Sequence, residues 1–366
     1  MGISLLAGLV AIEAGTTVKA GFCGKLLVDA GAEVIKLSLP EPDDPPFSEW
    51  LDRGKASVVI DWRIPEGEAL LGRLLARADV LVSDIEPPAE AAALRDAASR
   101  HPRLVHTALT DLGSIGPFAG RPATDLIVSA LSGMCYINGQ AGRQPLREPG
   151  NQASIVGALA GYIGTMAALA NRSQTGEGQA VDVSILEAMV NVLSPSVLQC
   201  SYQDGAPHRH PSTEGFLFDC ADGQVSIIIS AQRSWDTILD IWGITIDPAE
   251  ADKFTEASRR TNMPAIRALL APVLANKTRR EVFEELCMVH VPCGMLMTPA
   301  DLPHDRHLRE RGSFDTLANG ARAQRVFPGP GFRVANQPPT AERVLPVRGA
   351  DTARVLAPLA PNGGVE

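Results

Sequence analysis

The sequence predicts an α/β fold, with a large domain built on a mostly parallel sheet and a second, smaller α/β domain after it. Three observations carry this. Over the first 120 residues, short apolar runs alternate with helix-like segments, the pattern of βαβ units. A strongly β run at 223–230 is followed by helix-like segments near 234–241, 263–275 and 279–289. Hydrophobic residues make up 45% of 366 and charged residues 20%, which suits a chain with a sizeable core and not a disordered one.

The elements are expected in this order. Residues 4–12 form a strand, and 22–29 form a helix closed by Gly31 just before the apolar run 33–37. The acidic, Pro-rich stretch 40–46 is a surface loop. A strand at 56–61, an amphipathic helix at 66–77 and strands at 80–83 and 104–109 follow. The most apolar stretch, 153–170, has membrane length, but Gly157, Gly161 and Gly164 interrupt it and no second span flanks it, so it reads as a buried helix. Those small residues would let another backbone approach closely, as in a tight helix–helix contact. Residues 179–184 alternate as a strand and lead into an apolar helix that runs to about Cys200. Residues 201–213 read as a linker, the elements after it as a second, smaller unit, and the Pro- and Gly-rich stretch from about 317 as a tail that wraps a surface.

A formal charge of −9 argues against a nucleic-acid partner, because phosphate contacts need clustered cations. It does not exclude a small anionic ligand. The apolar start has no basic flank and Glu13 cuts it, so it reads as a strand and not as a signal peptide; a cytoplasmic protein is expected. The cysteines at 23, 135, 200, 220, 287 and 293 form no CxxC pair and read as buried reduced thiols. His208 with His210, and His304 with His307, lack a third ligand at short spacing, so no metal is expected.

Several ordered blocks carry a resemblance. They are FCGKLLVDAGAEVIK at 22–36, DRGKASVVID at 52–61, ADVLV at 78–82, GSIGPFAGRPATDLI at 113–127 and RSQTGEGQAVDVSILEA at 172–188. VPCG at 291–294, RGSF at 311–314 and PGPGFR at 328–333 complete the set. Together these blocks resemble the family III CoA-transferases, the group that also holds the formyl-CoA and carnitine CoA-transferases and the α-methylacyl-CoA racemases. The resemblance implies a Rossmann-like large domain made from both ends of the chain, here 1–200 and 317–366, with the small domain at 214–316 between them, and two subunits threaded through one another as an interlocked dimer. It places the acyl-CoA site between the large domain of one subunit and the small domain of the other. Coenzyme A and its thioesters are then substrates, with no covalently bound cofactor.

In that family an Asp carboxylate attacks the donor thioester to give a mixed anhydride, and the released thiolate attacks the enzyme carbonyl to give an enzyme-bound CoA thioester. The acceptor acid then opens this thioester in turn. Counting back from Ala167-Ala168-Leu169, the Asp position falls on Ser154. A serine ester is far less activated than an anhydride, so returning it to a thioester is uphill. Glu148 and Asp125 are the nearby acids that could serve instead, Asp125 more naturally as an orienting acceptor. The racemase branch also needs a His just before the Asp of the GP…D block, where Thr124 stands here.

The loop that in the family reads close to ENFRPG is here Ser83-Asp84-Ile85-Glu86-Pro87-Pro88, so an acid replaces a base at Glu86. Asp84, Ile85 and Glu86 are therefore the expected CoA-loop positions. Lys36, Arg53 and Lys55 remain as phosphate partners, with solvated surface cations as the alternative. These departures favour a non-catalytic subunit that pairs with a catalytic paralogue as a heterodimer or dimer of dimers. A self-sufficient acyl-CoA enzyme of altered chemistry (lyase, hydratase, dehydratase or racemase-like), acting as a homodimer, is the alternative.

Overall fold

The computed structural model describes residues 4–41, 47–85, 88–202, 216–229, 231–259, 262–317, 325–334 and 344–359. The chain divides into two units: Met1–Asn138, Gln144–Arg209 and Phe327–Glu366 form the first, Gly139–Arg143 and His210–Val326 the second.

In the first unit, β1 (Val10–Ala14), α1 (Val18–Asp29), β2 (Glu33–Ser38), α2 (Ser48–Leu51), β3 (Ala56–Val59), α3 (Pro65–Leu75) and β4 (Val80–Ser83) come first. Next are α4 (Pro88–Ser99), β5 (Val105–Thr110), α5 (Asp125–Leu131), α6 (Met134–Ile137), α7 (Gln152–Thr175), β6 (Ala180–Ser184), α8 (Ile185–Val192) and α9 (Ser194–Tyr202). The six strands are parallel in the order β3-β2-β1-β4-β5-β6. This is the order of a Rossmann-type sheet, in which ligands gather at the carboxyl ends of the strands where the order reverses, between β1 and β4. One apolar layer joins α1, α7 and α8 to the sheet through Leu27, Leu109, Ala158 and Ile185. The other joins α3 and α4 through Leu71, Leu74, Leu81 and Leu94.

Three boundaries differ from expectation. The first strand starts at Val10, not at residue 4, because Ala7 N–H donates to Ser4 and Leu9 N–H to Leu6, a pair of tight turns around Gly8 at φ 84. The helix expected to run on to Cys200 breaks after Val192, and Pro195 opens α9. Thr17 caps α1 by accepting from Lys19 N–H, so this helix begins four residues before the expected start.

The exposed edge of β3 is covered by the chain's end. Asp351 N–H donates to Ser57 O, Ser57 N–H to the Asp351 carboxylate at 2.9 Å, and Val59 N–H to Thr352 Oγ1 at 3.1 Å. Pairing the edge in this way removes a template for unwanted strand addition.

Helix α7 is long and apolar enough to cross a membrane by length and composition, with 33% of its most apolar window buried. Its glycines face the sheet. A Cβ on Gly161 would lie 2.7 Å from Leu109 Cδ2 and one on Gly164 2.8 Å from Val181 Cγ1. The close approach they permit is therefore to β5 and β6, together with Ile185 at the start of α8 beside Gly157. Leu159 and Ile163 stay exposed at 40% and 66%.

In the second unit β7 (Leu217–Cys220), β8 (Gly223–Ile227) and β9 (Cys293–Met295) form an antiparallel sheet in the order β7-β8-β9. The helices α10 (Gln232–Trp242), α12 (Met263–Leu274) and α13 (Arg279–Met288) pack on it through Trp235, Ile266, Leu270 and Leu286. Between α10 and α12 lies the short α11 (Glu256–Arg259). Its Arg259 is buried but satisfied: it donates to Ile229 O, Phe254 O and Gln232 Oε1, and lies 5.2 Å over the Trp235 ring. Six cysteines are unpaired, and of these Cys23 is buried whereas Cys200 and Cys287 are exposed, which corrects the expectation of uniformly buried thiols. His208 and His210, and most of the expected 201–213 linker, lie outside the described residues.

Candidate functional site

The carboxyl end of β4 meets the start of α1 at the strand-order reversal. Asp84 follows β4, and its carboxylate accepts from Thr16 N–H and Ala20 N–H at 3.0 Å each and from the Thr17 hydroxyl. It thereby takes up donors at a helix N-terminus that could otherwise cradle a phosphate. A Cβ on Gly15 would lie 2.3 Å from Asp84 Oδ1, so the backbone is pressed against this carboxylate. Burial raises the Asp84 pKa, and Lys19 and the three donors oppose that shift. Lys19 itself pairs with Asp111 at 3.0 Å. Ile85 is buried in the apolar layer, and Glu86 lies outside the described residues.

The three expected phosphate cations are buried, with Lys36 and Arg53 at 5% and Lys55 at 4% exposure, so the alternative of solvated surface cations does not hold. Lys55 Nζ lies 2.6 Å from Glu13 and 3.2 Å from Asp52, and donates to Gly21 O at 3.0 Å. Lys36 Nζ lies 2.5 Å from the other Asp52 oxygen. Burial pushes Glu13 up to about 7; Lys55 opposes the shift and the like charge of Asp52 adds to it. The Arg53 guanidinium lies 5.1 Å over the Phe327 ring.

Ser154 stands in the first turn of α7. Its N–H and its hydroxyl both donate to Asp125 Oδ1, at 2.8 and 2.9 Å. Asp125 opens α5, where Thr124 is the cap and accepts from Ile127 N–H. The sequence brought Ser154 and Asp125 forward separately; the structure joins them. The buried imidazole on β5, His106, bonds instead to Ser83 at 2.9 Å, and burial lowers its pKa to about 4. Both carboxylate oxygens of Glu148 are buried with no hydrogen-bond partner among the described residues. Its charge helps raise the Cys135 thiol, an effect second to burial.

Beside the start of α7 opens a cavity of about 620 Å³ with Phe47, Trp50, Ile155 and Phe327 on its wall. Sequence reasoning did not bring it out, because its aromatic residues come from stretches far apart in the chain.

The sequence profile described as CoA-transferase family III matches residues 6–352. The chain belongs to this family. Succinate–glutarate CoA-transferase of Agrobacterium fabrum is 27% identical, the match covering 97% of this chain and 95% of that protein. Two further family III relatives are the alpha and beta subunits of the succinyl-CoA–L-malate CoA-transferase of Chloroflexus aurantiacus. They are 26% and 27% identical, over 97% and 96% of this chain and 88% and 93% of theirs. Among solved structures, a CAIB/BAIF family protein from Brucella suis superposes with TM-score 0.83 at 25% identity, covering 96% of this chain and 98% of that one. Family III membership makes acyl-CoA metabolism the chemical setting of the site.

Proposed function

We propose that this chain is the non-catalytic subunit of a family III CoA-transferase acting on acyl-CoA and carboxylic acid pairs, partnered by a paralogue that carries the Asp nucleophile. The observation that carries the reading is the Ser154–Asp125 pair. The group at the nucleophile position is a hydroxyl, and it donates to a carboxylate that is already engaged by the adjoining N–H. Neither partner is arranged to form and reopen an anhydride, and no imidazole is hydrogen-bonded to Ser154 among the described residues. Relatives named as alpha and beta subunits support a two-chain enzyme. On this reading the two chains interlock in the cytoplasm, and this one completes the acyl pocket of the assembly.

A second reading, a homodimeric enzyme of altered acyl-CoA chemistry, draws on one observation: the Glu148 carboxylate oxygens are buried and have no hydrogen-bond partner among the described residues. Hydroxylamine trapping distinguishes the two. The chain alone, incubated with several acyl-CoAs, is expected to yield no hydroxamate on any residue, while co-expression with the paralogue yields one on the paralogue. A hydroxamate on Glu148, or an acyl ester on Ser154 seen by mass spectrometry before hydroxylamine is added, overturns the non-catalytic reading and names the replacement.

A further inference from the structure

Around the cavity at the start of α7 the wall is built from apolar and aromatic groups: Val18, Phe47, Trp50, Ile155, Phe327 and Pro328. Its polar contributions are Ser48, Asn151 and Gln152, all neutral. Among the described residues of the wall, the one charged side chain is the carboxylate Glu49. Two cations near it stack on aromatic rings and are not themselves on the wall. Lys25 lies 5.5 Å over Trp50 and is paired with Asp29 at 2.8 Å, and Arg53 lies over Phe327.

Two features hold the aromatic wall in place. The Trp50 indole N–H donates to Pro328 O at 3.0 Å, and its ring centroid lies 5.3 Å from that of Phe22. Phe47 has a left-handed backbone at φ 65, rare for a bulky residue, and is nevertheless 60% exposed. Strained backbone of this kind clusters at ligand sites, and here it belongs to an exposed ring that lines an apolar cavity.

We infer that this cavity takes an aromatic or otherwise apolar monocarboxylic acyl group, and that it discriminates against the dicarboxylic acyl groups named for the relatives. Succinyl and glutaryl groups end in a second carboxylate. In this cavity that carboxylate would lose water without meeting a cation on the wall. A phenyl ring, by contrast, exchanges water for the faces of Phe47, Trp50 and Phe327. The inference rests on the family III reading of the site, and not on whether this chain turns its ligand over.

The test is direct binding of two free acids, phenylacetate and succinate, to the full-length protein at equal ionic strength, by calorimetry and by tryptophan fluorescence. Phenylacetate is expected to bind at least about tenfold more tightly than succinate. Phe47→Gly, which removes the ring and relaxes the backbone, is expected to weaken phenylacetate at least about fivefold with no loss of thermal stability. Ser48→Lys, which adds a wall cation, is expected to raise succinate affinity and shrink the preference. Equal or tighter succinate binding, no binding of either acid, or unchanged phenylacetate affinity in the Phe47→Gly protein overturns the inference. The trapping experiment reads a separate quantity. A chain that forms an acyl adduct and still prefers phenylacetate keeps this inference and loses the non-catalytic reading; a chain with neither adduct nor preference does the reverse.

Discussion

Replacing Lys55 by Met tests whether the cations near the second strand serve the fold. Lys55 is buried at 4% between Glu13 at 1% and Asp52 at 7%, with ion pairs of 2.6 and 3.2 Å and a bond to Gly21 O. Removing one member of a buried pair leaves a charge unsatisfied and costs about 3–5 kcal/mol. That is a large share of the roughly 5–15 kcal/mol that holds a typical domain folded. The cost should depend on pH. Glu13 already titrates above an ordinary carboxylate, near 7, so the folded chain holds more protons than the unfolded chain between about 4.5 and 7. Stability from this group therefore falls as pH rises through that window. Without Lys55 the folded value rises further and the window extends upward. The deficit of Lys55→Met should then grow between pH 7 and pH 8, by up to about 1.4 kcal/mol per unit for one proton. Urea unfolding of both proteins at pH 6, 7 and 8, followed by circular dichroism, measures this. The double variant Glu13→Gln, Lys55→Met should recover much of the loss, because it removes both charges. A single variant within about 1 kcal/mol of the parent at every pH, with the same pH slope, would refute the reasoning.

Two further outcomes are expected. Free CoA should bind weakly, with affinity poorer than micromolar, because Lys36 and Lys55 are engaged with Asp52 and Glu13 and Glu86 adds an anion to the loop; micromolar or tighter binding in calorimetry, falling steeply between about 50 and 200 mM salt, would show other cations at work. The chain should not be a stable monomer: Leu126, Ile127 and Leu131 on α5, Ile163 on α7 and Val197 and Leu198 on α9 are exposed at 44–66%. Size-exclusion chromatography with light scattering should show a dimer or larger, and a compact monomer would refute the interlock.

The parallel sheet was legible because each buried strand is a short apolar run and the helix at 66–77 has a period of its own, whereas α4 was not read from the sequence. What escaped lies in turns and in pairings across the chain. The turns at 4–9 depend on Gly8 adopting φ 84 inside a run that reads as continuous strand. The ion network depends on register: Glu13 on β1 stands opposite Lys36 on β2, and Asp52 and Lys55 arrive from the segment that leads into β3. Read one at a time, these residues look like available phosphate contacts. At the site, Ser154 and Asp125 each stood out in the sequence, but their contact depends on α5 meeting the first turn of α7, which no local pattern encodes.

That contact gives the serine a physical rationale. An Asp at 154 would set a second carboxylate within hydrogen-bonding distance of the Asp125 carboxylate. Two like charges about 4 Å apart cost on the order of 4 kcal/mol at an effective dielectric near 20, and such pairs respond by sharing a proton. A hydroxyl at the same place replaces that repulsion with a donor at 2.9 Å and leaves the adjoining N–H bond to Asp125 at 2.8 Å intact. On the proposed reading, loss of the nucleophile and a better satisfied start to α7 are two consequences of one residue, and a chain whose catalytic duty had passed to a partner would be free to keep the second without the first. Ser154→Asp should therefore destabilise the protein at pH 8, and the deficit should shrink toward pH 5, where the pair can hold a proton between them. Thermal unfolding at the two pH values reads both effects. If the variant is as stable as the parent at pH 8, the two carboxylates do not meet, and the pairing of Ser154 with Asp125 is not what fixes the residue at this position.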